Sequence, residues 1–61
     1  MAYKIVYFRA ATPYAEVYWD DSLPDTRETA RKGIRRNRVD YATIHDLDRD
    51  AKLIETVSVR P

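Results

Sequence analysis

Helical spacing occurs once in this sequence, between Ser22 and Asn37, and the segments on both sides are dense in β-branched and aromatic residues. Whatever sheet the flanking segments build, one short helix has to cover it. A chain of 61 residues allows one domain and one core, so residues 1–61 are read as a single small α+β domain. The usual supports of so small a domain are disulfides, metals and partner subunits. With no cysteine in the chain, disulfides and thiolate zinc sites are excluded, which raises the expectation of pairing between subunits.

Tyr3 to Arg9 reads as a strand by its run of aromatic and β-branched residues. Ala10 to Tyr14 reads as a turn because Pro13 interrupts the pattern, and Ala15 to Trp19 alternates as a second strand. A connection of five or six residues suits a hairpin. Helix-start signals follow. Ser22 stands three residues before Asp25, near a capping box, and Pro24 falls in the first turn, where its missing N–H needs no partner. Leu23, Ala30 and Ile34 form a thin apolar stripe flanked by Thr26, Gly33 and Asn37. Gly33 weakens a helix but lets a backbone approach a sheet closely. Asn37 tolerates the left-handed conformation that ends helices, which places the last helical residue near Arg36.

Val39 to Asp46 and Lys52 to Arg60 return to a period of two, with Leu47 to Asp50 as a four-residue hairpin loop between them. Leu53, Val57 and Val59 share one side, and Ile44 is expected opposite Leu53. The predicted architecture is ββαββ, a four-stranded and mostly antiparallel sheet with one helix packed on one face. Strand order stays open.

The strands are greasy on both faces. Tyr3, Ile5 and Tyr7 oppose Val6 and Phe8; Ala15, Val17 and Trp19 oppose Glu16 and Tyr18; Tyr41 backs Ala42 and Ile44. A helix on one side leaves aromatic or aliphatic groups on the other. Scattered groups of this kind are ordinary on a sheet, whereas a contiguous patch marks a binding surface, most simply for a second copy. The anchor candidates are Tyr3, Tyr7, Tyr18, Trp19 and Tyr41, of which parity puts some inside.

Charge is uneven although the total is +1. From Arg27 to Arg38 there are six basic residues and one acid, leaving five basic and nine acidic elsewhere. Arg27, Arg31, Arg35 and Arg38 fall on one helical flank, with Lys32 and Arg36 on the far solvent side. Such a row suits phosphate, so nucleic acid is the alternative partner, held by phosphate contacts and stacking on Tyr or Trp19. A solvated face matched to the helix dipole, with Glu28 paired to Arg31 or Lys32, explains the same residues. No recognised DNA-binding motif is present.

Asp46, Asp48 and Asp50 alternate as in a calcium loop, but Ala51 and Val57 stand where such a loop needs glycine and glutamate. His45 is the single histidine, too few for a multi-histidine metal site. No nucleophile elbow, phosphate loop or dinucleotide fingerprint occurs, and no cofactor is expected. Apolar runs such as Ile5 to Phe8 are too short to cross a bilayer, and the first residues do not read as a signal peptide. The sequence therefore points to a small cytoplasmic, non-enzymatic interaction module, a homodimer through the uncovered sheet face or an edge strand.

Overall fold

The computed structural model describes residues 2–58. The chain runs β1 (Ala2–Arg9), β2 (Thr12–Asp20), α1 (Leu23–Asn37), β3 (Tyr41–Asp46), a short 3-10 turn (Leu47–Arg49) and β4 (Lys52–Val57). The expected ββαββ fold is what forms: one four-stranded sheet with α1 on one face. The strand order is β2-β1-β3-β4, and each neighbouring pair is antiparallel. Val59 and Arg60, expected to extend the last strand, lie outside the described residues.

Parity decides the core. Tyr3, Ile5 and Tyr7 of β1, Ala42 and Ile44 of β3, and Val57 of β4 point under the helix and meet Ala30 and Ile34 from above. Val39 joins them from the turn after α1, and Leu23 and Ile54 pack at the margin. Thr26 is also fully buried, but its hydroxyl donates to the Ser22 carbonyl at 2.7 Å, so no polar group is stranded.

The first hairpin is tighter than the sequence suggests. Its loop is two residues, Ala10 and Ala11, both at positive φ (50° and 66°), the geometry of a turn whose twist matches the strands. Pro13 does not belong to the turn. It lies in β2 opposite Phe8, on an outer strand that can spare an N–H, beside an irregularity that leaves Tyr14 without a β1 partner. Positive φ disfavours alanine, and the turn is held from outside. The Ala10 N–H donates to Asp40 Oδ2 at 2.7 Å, the Asp40 N–H donates to the Phe8 carbonyl at 2.9 Å, and Arg9 donates to the Asn37 carbonyl at 2.8 Å. The hairpin tip is thereby tied to the end of α1.

Ser22 caps the helix as expected, its Oγ accepting from the Asp25 N–H at 3.3 Å. The return half of a capping box is not made, because the Ser22 N–H donates to Asp21 instead. At the other end Asn37 is still helical, and Arg38 takes the left-handed conformation expected of Asn37. The Asn37 amide donates back to the Gly33 carbonyl at 2.9 Å, which keeps Asn37 in the last turn. The Val39 N–H donates to the Ile34 carbonyl at 3.1 Å, burying Val39 just past the cap. Gly33 is where α1 comes closest to the sheet: a Cβ there would run into the ring and hydroxyl of Tyr7.

The second hairpin departs most from expectation. Its connection runs from Leu47 through Ala51, with Asp50 and Ala51 at positive φ, and an irregularity between Ile44 and His45 resets the register. Ile44 therefore faces Glu55, and Leu53 faces His45. Leu53 lies on the face away from α1 and Val57 beneath it, so the two do not share a side.

Two consequences can be measured by urea unfolding. Replacing Ala11 or Arg38 by glycine removes a positive-φ penalty, and each is expected to raise stability by about 1 kcal/mol. Gly33→Ala, normally worth about 1 kcal/mol of helix stabilisation, is expected instead to lower stability by about 1–3 kcal/mol through overpacking against Tyr7.

Candidate functional site

The five aromatic anchor candidates do not form one surface. Tyr3 and Tyr7 are core residues beneath α1, 2% and 3% exposed, too little to anchor a second subunit. Tyr41 lies on the open face, half-buried, with its ring stacked on Phe8 at 4.9 Å and 9° between planes. Tyr18 shares that open face at 64% exposure, and Trp19 points the other way, toward the helix side.

The open face is mixed. Val6, Phe8, Tyr18, Tyr41 and Leu53 alternate there with Lys4, Glu16, Thr43, His45 and Thr56. Val6 is nearly buried among its neighbours without any helix above it. His45 is bound into the sheet. Its Nδ1 donates to the Ala51 carbonyl at 3.0 Å, which fixes that proton, and Nε2 lies 2.9 Å from Thr43 Oγ1. Asp46 turns inward, accepts from the Asp48 N–H at 2.9 Å and approaches Arg49 at 3.7 Å. Among the described residues no group of three or more His, Cys, Asp or Glu side chains is placed to hold a metal ion.

Uncovered surface is concentrated on β2. The helix packs on β1, β3 and β4, and β2 projects beyond it. All nine residues of β2 are exposed, including Val17 and Trp19 on the helix side, at 37% and 38%. Tyr14 is exposed as well, with the Arg9 guanidinium 4.3 Å above its ring. Between β2 and α1 this overhang leaves a groove of about 350 Å³. Its floor is Tyr7, Val17 and Trp19, and its helical wall includes Thr29, Lys32 and Arg36.

The basic residues sort differently from their helical spacing. Arg27 donates through Nε to both carboxylate oxygens of Glu55, at 2.8 and 2.7 Å, and so fastens α1 to β4. Arg31 approaches Glu28 at 3.6 Å, and Arg38 has left the helix. Lys32 and Arg36, expected on the far solvent side, instead wall the groove, and neither makes an ion pair among the described residues. Helical spacing alone could not show this, because the flank that meets β2 depends on the strand order.

The chain is thus a small, compact ββαββ domain whose outer strand β2 stands outside the helix-covered core. No protein-family model, curated protein or solved structure matches it. Among the described residues no helix is long and apolar enough to cross a membrane.

Tyr7 supplies a pH test of this arrangement. Burial pushes its phenol above the ordinary value of 10.0, partly offset by the Arg36 guanidinium. A folded-state pKa above the unfolded value means the native chain keeps its proton after the unfolded chain has lost it. The contribution is therefore whole below about pH 10 and is lost as pH rises from there toward the folded value. Urea midpoints measured from about pH 8 to 11 should fall less steeply for Tyr7→Phe than for the unsubstituted chain.

Proposed function

We propose that this protein is a non-enzymatic interaction module that pairs with a second copy of itself through β2. The observation that carries this reading is the exposure of all nine β2 residues on an outer strand with large apolar groups on both faces. An uncovered strand of that length, about 30 Å, is a ready template for another strand. The opposite edge is blunted: β4 has six residues within the described range, an irregular register, and Lys52 and Glu55 in its sequence. The small core of a 61-residue chain adds a reason for subunit support. The lack of cysteine fits a cytoplasmic setting.

Chemistry selects the register. An antiparallel pair centred on Glu16 would set two carboxylates directly opposite and draw Pro13 into the new ladder. Centring the two-fold axis on Val17 avoids both. Val17 then meets Val17 of the second copy, Trp19 lies beside Ala15, and Tyr18 lies beside Glu16. The result is an eight-stranded sheet with both helices on one face.

A single cysteine at position 17 gives a direct test, since the chain has no other. Oxidised Val17→Cys should form a covalent dimer readily, and Thr56→Cys on the opposite side of the sheet should not. Val17→Lys, which places two ammonium groups on the axis, should leave a folded monomer by sedimentation. A monomer at high micromolar concentration without any substitution, or equal cross-linking at both positions, would contradict the reading.

A further inference from the structure

The groove between β2 and α1 is lined within a single subunit, by residues of β1, β2 and α1. We infer that it is a site for a nucleobase bearing a phosphate, either as a free nucleotide or within a single strand. Its floor offers a planar surface: Trp19 is 38% exposed, lies beside Val17 and is the one tryptophan of the chain. Aromatic faces of this kind accept any base by stacking. Its wall offers positive charge: Lys32 and Arg36 stand one helical turn apart and are unpaired among the described residues. Among the described residues no carboxylate lines the groove, although acids outnumber bases outside the helix's basic stretch.

Size and charge narrow the occupant. A volume of about 350 Å³ is at the lower end of ligand sites, room for one planar group and its charged appendage. A purely apolar ligand would desolvate two cations and return nothing to them. An acidic peptide would satisfy the cations and leave the Trp19 face without a flat partner. A base with its phosphate satisfies both, and the Thr29 hydroxyl on the same wall supplies a further donor or acceptor. Of the arginines that the helical spacing singles out, Arg27 is held by Glu55, Arg31 approaches Glu28, and the exposed Arg35 and Arg38 do not line the groove.

Trp19 fluorescence reads the groove directly. The probes are an eight-nucleotide oligothymidylate, adenosine monophosphate, and a glutamate octapeptide of similar charge. Saturable quenching by the oligonucleotide or by the mononucleotide is expected, and their relative affinities decide between a strand and a free nucleotide. Two phosphate contacts on a single strand give a salt slope of about −1.4 on logarithmic axes. Lys32→Gln with Arg36→Gln should weaken binding at least about tenfold and flatten that slope. Arg31→Gln, on the other flank, should leave both unchanged. The inference is overturned by absence of quenching at low salt, by equal binding of the glutamate peptide, or by quenching that survives the double substitution.

Discussion

One helix of fifteen residues covers three strands, and the fourth is left over. Strands stand about 4.8 Å apart, so four of them span about 14 Å between outer axes, more than a helix about 10 Å wide can roof. Arg27, chelated by Glu55, draws α1 toward β4, and Gly33 lowers it onto Tyr7. The helix is thereby fixed on one side of the sheet's midline, and β2 on the other side has no lid. Its exposed residues, the groove beneath its overhang and the cations along that groove, which make no ion pair among the described residues, all follow from this offset.

The hairpin tip keeps β2 in place without a lid. Two alanines at positive φ make a turn that local preference opposes, and the Asp40 carboxylate and Arg9 guanidinium hold it against the end of α1. The strand is thus anchored by its backbone ladder with β1 and by polar contacts at one end, rather than by packing from above. That combination gives an ordered strand with an open outer edge, which strand addition requires.

Some of this was readable from the residues and some was not, for physical reasons. Ser22, Pro24 and the stripe Leu23, Ala30, Ile34 marked the helix because capping and amphipathicity are local. The close approach at Gly33 was readable too, since glycine in a helix facing a sheet has few other uses. The Ala10–Ala11 turn was not, because alanine carries no signal for positive φ and its support comes from Asp40, thirty residues away. The irregularity between Ile44 and His45 leaves no mark in the alternation, which by itself sets Leu53 opposite Ile44 and on the side of Val57. Tyr18 falls on the opposite face by parity, but Tyr3 and Tyr7 share a face with Trp19. Only the strand order, set by long-range pairing, puts Tyr3 and Tyr7 under the helix and Trp19 at its margin.

The same order decides which cations are available. Arg27 and Arg31 approach Glu55 and Glu28 on one flank of the helix, Lys32 and Arg36 stand along the groove on the other, and β2 there carries the one tryptophan. The outer edge of β2 and the groove behind it are therefore two features of one uncovered strand. Amide hydrogen exchange at low and high protein concentration tests that strand most directly. Protection of residues 12–20 should rise with concentration while that of residues 52–57 stays constant. Protection of β2 that is independent of concentration, or a rise confined to β4, would contradict the assignment of β2 as the strand that meets a second subunit.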